Sequence, residues 1–68
     1  MNYSEMIKLL MQGHLVTRES FYGQYIHFNP SQKNFFCYDC STEDGTRFEY
    51  FFSKEDIYAE DWKVYSRE

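Results

Sequence analysis

The stretch Ala59-Glu60-Asp61-Trp62-Lys63-Val64-Tyr65 contains the only tryptophan of the chain. Side chains alternate between the two faces of a strand, so Trp62 and Val64 are expected on one face, with Lys63 and Tyr65 on the other. The stretch therefore predicts a final strand whose apolar face, led by Trp62, anchors the hydrophobic core.

The residues just before this strand carry a helix-start signal. Ser53 is suited to the N-cap position, where its hydroxyl accepts from an unpaired amide, and Glu55 and Asp56 would lie in the first turn. Carboxylates there face the positive end of the helix dipole. The pattern predicts a short helix or helical turn that leads into the Trp62 strand.

The N-terminal segment has helical periodicity. Asn2 or Ser4 can cap a helix that ends at Gln12 or Gly13, since glycine readily takes the left-handed backbone found after helix ends. Apolar side chains recur at three- and four-residue spacing, which predicts one buried helix face. The residues of that face are Tyr3, Met6, Ile7 and Leu10. We expect Ile7 and Leu10 to join Trp62 and Val64 in the core.

The remainder of the chain consists of strand patterns and turn signals. Strands are expected at 15–18, 24–28, 35–40 and 46–52, with turns at 20–23, 29–32 and 41–45. In the second of these strands, Tyr25 and His27 fall on one face and Ile26 and Phe28 on the other. The sequence therefore predicts an α+β fold, with an N-terminal helix packed on a twisted antiparallel sheet of four or five short strands. Residues 1–68 are expected to form a single domain.

The size and the aromatic content favour self-association. A chain of 68 residues buries only about 60% of the surface that its unfolded form exposes, so the isolated domain is expected to be modestly stable. Aromatic residues make up 22% of the chain and suit either a core or an interface. We expect a homo-oligomer, either a dimer or a tetramer.

The charge excludes some classes of partner. A formal net charge of −4 argues against binding to duplex nucleic acid, which requires a basic surface. No apolar run approaches the roughly 18 residues of a membrane-spanning helix, and the N-terminus lacks the pattern of a signal peptide. We expect a cytoplasmic protein that does not bind membranes.

Neither metal binding nor catalysis is favoured by the motifs. Cys37 and Cys40 lie on opposite faces if 35–40 is one strand, and neither His14 nor His27 belongs to a second, closely spaced ligand pair. The sequence shows no nucleophile elbow, phosphate loop or paired-carboxylate motif. We therefore expect two reduced cysteines, no metal, no cofactor and no enzymatic activity.

One cluster has the composition of a nucleotide site. Arg18 can pair with phosphate, Phe21 and Tyr22 can stack on a base, and Gly23 permits close backbone approach. Tyr25, at the start of the next strand, completes the candidate ligand-binding set. The alternative is structural: Arg18 lays its stem on the sheet and pairs with a carboxylate, while Phe21 belongs to the core.

The order of these segments resembles the small phage and prophage family that includes the second type of Thoeris anti-defence protein. The similarity runs over nearly the whole chain. The segments that carry it are Met1-Asn2-Tyr3, Gly13-His14-Leu15-Val16-Thr17-Arg18, Tyr25-Ile26-His27-Phe28, Ser53-Lys54-Glu55-Asp56-Ile57 and Ala59-Glu60-Asp61-Trp62-Lys63-Val64. Phe21 stands where family members often carry a tryptophan, and the turns at 29–34 and 41–45 are short.

The resemblance implies a phage-encoded anti-defence protein that sequesters a cyclic nucleotide-type immune signal, such as a cyclised ADP-ribose, without cleaving it. It also implies an oligomer. The alternative function is a protein-binding inhibitor or adaptor that acts on a host effector through an acidic, tyrosine-rich surface.

Overall fold

The computed structural model describes residues 1–39 and 46–65. Its elements are two short helices and the five strands of one antiparallel sheet. In chain order they are α1 (Tyr3–Met11), β1 (Val16–Arg18), β2 (Gln24–Asn29), β3 (Asn34–Asp39), β4 (Arg47–Glu49), α2 (Lys54–Tyr58) and β5 (Trp62–Val64). The α+β class, the N-terminal helix and the short helix before the last strand are confirmed.

Helix α1 begins and ends at the expected signals. The Asn2 side chain accepts a hydrogen bond of 3.0 Å from the Glu5 amide, which satisfies one of the unpaired donors of the first turn. Gln12 is the C-cap, and Gly13 follows with φ = 96°, a left-handed conformation that glycine adopts without strain.

The sheet has five strands in the order β4-β3-β2-β1-β5, with every neighbouring pair antiparallel. Residues directly opposite each other share a face of the sheet. Val16 lies opposite both Ile26 and Val64, and Ile26 lies opposite Cys37, so these residues share the face on which α1 packs. Tyr25 pairs with Tyr38 on the other face.

Trp62 is tied to α2 as well as packed in the core. Ser53 caps α2 as the sequence indicated, and with Asp56 it forms a reciprocal capping box. The Trp62 indole N–H donates to the Asp56 carbonyl oxygen at 2.9 Å. Trp62 is only 2% exposed, so a large aromatic ring and its single polar atom are both accommodated.

The core contains most, but not all, of the expected residues. Leu10 is fully buried, and Ile7 packs against the buried cluster from its edge. The prediction that Val64 belongs to the core is wrong, because Val64 is 48% exposed. It shares a face with Trp62, but β5 is an edge strand, so only its first residue is covered well.

The strand bounds differ from the expected ones mainly after β3. Strand β4 covers only 47–49 of the expected 46–52. The Tyr50 amide still donates to the Phe35 carbonyl oxygen of β3 at 2.8 Å, and the rings of Tyr50 and Phe52 pack edge-on at 5.3 Å. The expected turn at 41–45 and the side chains of Cys40 and Ser66 lie outside the described residues. Within the described residues, neither helix is long and apolar enough to cross a membrane.

Candidate functional site

The five residues of the candidate ligand-binding set fall on different sides of the molecule. Arg18 and Phe21 contact Trp62 on the face that carries α1, whereas Tyr25 lies on the opposite face. Tyr22 and Gly23 belong to the loop between β1 and β2. The structure therefore does not gather the set into one pocket within a single chain.

Arg18 is held by two carboxylates from the C-terminal part of the chain. Its Nη1 donates to Asp56 Oδ1 and its Nε donates to Asp61 Oδ1, both at 2.9 Å. The guanidinium carbon lies 5.7 Å from the centre of the Trp62 ring, and the side chain is 17% exposed. Burial opposes the charge, but the hydrogen bonds to Asp61 and Asp56 outweigh it and raise the pKa of Arg18.

Asp56 is the centre of this network. Its Oδ2 accepts from the Tyr50 hydroxyl at 2.6 Å and from the Ser53 amide at 3.0 Å, while Oδ1 accepts from Arg18. Burial alone would raise the pKa of Asp56, but hydrogen bonds from Tyr50, Ser53 and Arg18 lower it below its ordinary value. Asp56 is therefore an ionised, buried acceptor that joins β1, α2 and the segment after β4.

Tyr50 completes what we call the Arg18 network, which consists of Arg18, Tyr50, Asp56 and Asp61. Burial, together with the hydrogen bond to Asp56, raises the pKa of the Tyr50 hydroxyl and keeps it a donor. The Phe21 ring packs edge-on against Tyr50 at 6.0 Å and against Trp62 at 5.9 Å. Arg18 and Phe21 thus have the structural contacts that the alternative interpretation anticipated.

The β1–β2 loop exposes the other candidate residues. The Phe21 amide donates to the Arg18 carbonyl oxygen at 3.0 Å, which closes a turn after β1. Tyr22 follows with 86% of its surface exposed, and Gly23 has φ = 68°. The left-handed backbone at Gly23 allows the chain to enter β2 directly after the exposed tyrosine.

Tyr25 is the centre of a stack of three tyrosines on the opposite face. Its ring lies 5.2 Å from Tyr38 and 4.7 Å from Tyr65, with interplanar angles of 10° and 24°. Tyr25 is only 5% exposed, although α1 packs on the other face of the sheet. We call Tyr25, Tyr38 and Tyr65 the tyrosine stack.

An open depression lies beside this stack. Its volume is about 260 Å³, and its lining side chains are Leu15, Tyr25, His27 and Tyr38. Of these four, the candidate set contained only Tyr25. The signal for His27 was present, because the alternation of β2 places it on the face of Tyr25, but Tyr38 and Leu15 come from neighbouring strands whose register the sequence does not specify.

The described residues include Cys37, His14 and His27. Among residues 1–39 and 46–65, no group of three metal-ligating side chains lies close enough to hold an ion. Cys37 is a buried free thiol, 1% exposed. Burial and the nearby charge of Asp39 raise its pKa to about 11, so the thiol is protonated at neutral pH. Cys40 lies outside the described residues.

Comparison with known families addresses identity. The model of the Thoeris anti-defense 2-like domain matches residues 1–65 of the 68-residue chain. The chain belongs to the Thoeris anti-defense 2-like family. No curated protein matches it significantly. Membership of this anti-defence family confirms the resemblance seen in the sequence and supports a phage anti-defence role for the chain.

Proposed function

We propose that this family member binds and sequesters a cyclic nucleotide-type immune signal in the cytoplasm of the infected cell and leaves it chemically intact. The observation that carries the proposal is the family match over residues 1–65, which includes the β1–β2 loop and the Arg18 network. Sequestration requires affinity rather than catalysis, so the protein needs only a stacking surface and a fixed cation.

The end of β1 and the β1–β2 loop supply both features within a few residues of the chain. Tyr22 is 86% exposed, so its ring can stack on a ligand without a rearrangement of the fold. The two ion pairs engage two of the five N–H donors of Arg18, and we expect the others to meet a phosphate. Asp56 and Asp61 hold the guanidinium in place, so little side-chain entropy is lost when the ligand binds.

Assembly would complete the site. Arg18 and Phe21 lie on the sheet face opposite to Tyr25, so a ligand that contacts all three would lie where two chains meet. We therefore propose a homodimer or homotetramer with ligand pockets near the subunit contacts.

Calorimetry with a panel of cyclic ADP-ribose isomers and cyclic di- and trinucleotides tests the proposal. We expect a binder with submicromolar Kd that mass spectrometry recovers unaltered after the protein is denatured. Tyr22→Ala should weaken binding by roughly tenfold, since base stacking on an aromatic ring contributes about 1–3 kcal/mol. Tyr58→Ala is the matched control, because Tyr58 is also a tyrosine with 80% of its surface exposed.

Two results would contradict the proposal. One is the absence of heat and of thermal stabilisation with every ligand of the panel, because a ligand specific for the folded state must raise its apparent stability. The other is recovery of a cleaved signal, which would make the protein an enzyme.

A protein-binding function is the second candidate, and a specific surface favours it. Phe51 and Tyr58 are 78% and 80% exposed, and the exposed carboxylates Glu55 and Glu60 lie in the same segment. Aromatic residues are enriched in protein interfaces, where a polar rim surrounds them. Under this alternative, a host effector is captured stoichiometrically from lysate, and Tyr58→Ala, not Tyr22→Ala, abolishes the capture.

A further inference from the structure

Strand β4 forms one edge of the sheet, because the strand order ends there. Its three residues, Arg47, Phe48 and Glu49, are all exposed, and the apolar Phe48 keeps 45% of its surface open to solvent. An edge strand presents backbone N–H and C=O groups that have no partner within the sheet. Such a strand can pair with a strand of another chain.

The hydrogen bonds that flank β4 show which of its backbone groups face outward. The Thr46 carbonyl oxygen accepts from β3 at 2.9 Å, and the Tyr50 amide donates to β3 at 2.8 Å. Hydrogen bonding alternates along an antiparallel strand, so the backbone groups of Phe48 also face β3. The N–H and C=O groups of Arg47 and Glu49 therefore point away from the sheet.

The other edge of the sheet, β5, is less open. The Trp62 carbonyl oxygen of β5 accepts from the Met1 ammonium at 2.9 Å, and the Glu60 carbonyl oxygen just before β5 accepts from the same group at 3.1 Å. Within residues 1–39 and 46–65, no comparable backbone hydrogen bond reaches Arg47 or Glu49 from beyond the sheet. Strand β4 is thus the more accessible of the two edges.

The side chains of β4 are complementary to a second copy of the same strand. Arg47 and Glu49 share one face, because side chains alternate along a strand, and they carry opposite charges. If Phe48 lies opposite Phe48 of a second antiparallel β4, Arg47 lies opposite Glu49 of that copy at both ends of the pairing. Opposite charges directly across a ladder stabilise it, as do aromatic pairs, whereas two charges of one sign would repel.

We propose that β4 pairs antiparallel with β4 of a second copy of this chain, about a two-fold axis at Phe48, so that the two sheets join into one continuous sheet. Arg47 and Glu49 of the second copy then exchange backbone N–H and C=O hydrogen bonds as a hydrogen-bonded pair. Phe48 and its symmetry mate form the closer, non-hydrogen-bonded pair, with Cα atoms about 4.5 Å apart. This inference rests on the homo-oligomer proposed above and names the surface through which two copies meet.

Charge reversals in β4 test this pairing in the full chain by sedimentation equilibrium. We expect the wild type to associate through β4 with a Kd of about 50 μM, because the pairing is short and small interfaces are weak. Arg47→Glu sets two carboxylates opposite each other at both ends of the pairing, and Glu49→Arg sets two guanidinium groups there. Each single variant should weaken this association about tenfold.

The double variant Arg47→Glu/Glu49→Arg is the matched control. It restores opposite charges across the two-fold axis and should associate like the wild type. The two single variants shift the net charge of the chain in opposite directions, so a general charge effect cannot weaken association in both. Melting temperatures show whether each variant remains folded, because the Arg47 guanidinium carbon also lies 4.9 Å from the centre of the Phe36 ring.

Hydrogen exchange followed by NMR gives a second measurement that depends on the backbone. The amides of Arg47 and Glu49 face outward in one chain, so their exchange should slow when the wild-type concentration is raised from well below to well above about 50 μM. The Phe48 amide, which faces β3, should change much less.

The inference is overturned if both single variants associate like the wild type, or if the double variant associates as weakly as the single ones. It is also overturned if the Arg47 and Glu49 amides exchange equally fast at both concentrations. If the chain still associates in these cases, the oligomer forms through another surface. Sequestration of a cyclic signal is judged separately, by the calorimetry with Tyr22→Ala.

Discussion

Replacement of Asp56 by asparagine tests the Arg18 network most directly. The side chain is nearly isosteric, but the carboxylate charge that accepts from Arg18, Tyr50 and Ser53 is lost. Hydrogen bonds to charged groups contribute about 1.5–3 kcal/mol each, and removal of one partner of a buried pair costs about 3–5 kcal/mol. Because asparagine retains one acceptor oxygen, we expect Asp56→Asn to lower the free energy of unfolding by about 2–4 kcal/mol.

This loss is large relative to the stability of such a small domain, which we expect near the lower end of the usual range of about 5–15 kcal/mol. Urea unfolding followed by fluorescence of Trp62, the only tryptophan, measures it. Circular dichroism is needed as a second probe, because the Trp62 indole is hydrogen-bonded to the Asp56 backbone. We expect the urea midpoint to fall by about 1 M or more.

Asp61→Asn is the matched control. Asp61 also binds Arg18 at 2.9 Å, but its side chain is 32% exposed, compared with 4% for Asp56, and exposed ion pairs contribute little. We expect a clearly smaller loss from Asp61→Asn. The reasoning is refuted if the two variants lose equal stability, or if Asp56→Asn stays within about 0.5 kcal/mol of the wild type.

Four further outcomes are expected. The pKa of Asp56 is lowered in the folded state, so the stabilisation by its carboxylate is complete above the ordinary pKa of about 3.9 and is lost as the pH falls below that value. The difference in the free energy of unfolding between the wild type and Asp56→Asn should therefore shrink below about pH 4. A constant difference would contradict this. Trp62→Ala should cost about 3–5 kcal/mol and leave the chain poorly folded by circular dichroism, whereas an unchanged melting point with lost ligand binding would make Trp62 a site residue. In a Cys40→Ser variant, the buried Cys37, with its pKa raised to about 11, should react slowly with a thiol reagent at pH 8 and quickly in urea, and equal rates would disprove the burial. Light scattering at about 100 μM should show a dimer or tetramer, since burial of the exposed aromatics between subunits stabilises a small domain, and a monomer would exclude pockets at subunit contacts.

Local signals in the sequence predicted the helices well. Asn2, Gly13 and the Ser53–Asp56 capping box act within a few residues of the chain, so their effect does not depend on what packs around them. The burial of Trp62 was equally predictable, because a large aromatic side chain in an alternating strand is stabilised most on the face that packs in the core.

The candidate site was less predictable, because its contacts are distant in sequence. Arg18 binds carboxylates 38 and 43 residues away, and no local pattern identifies which of the eleven acidic residues it meets. An arginine next to aromatic residues has the same sequence pattern whether it binds a phosphate ligand or pairs with carboxylates of its own chain.

The sequence by itself determined the α+β class, the ends of α1, the start of α2 and the family to which the chain belongs. Only the tertiary structure decided that Val64 is exposed on an edge strand, that Arg18 is paired, and that Tyr25, His27 and Tyr38 form a depression on the opposite face. Capping and alternation are set by neighbours along the chain, whereas exposure at an edge and contacts across strands depend on strand order and register. Those are fixed only when the whole sheet has formed.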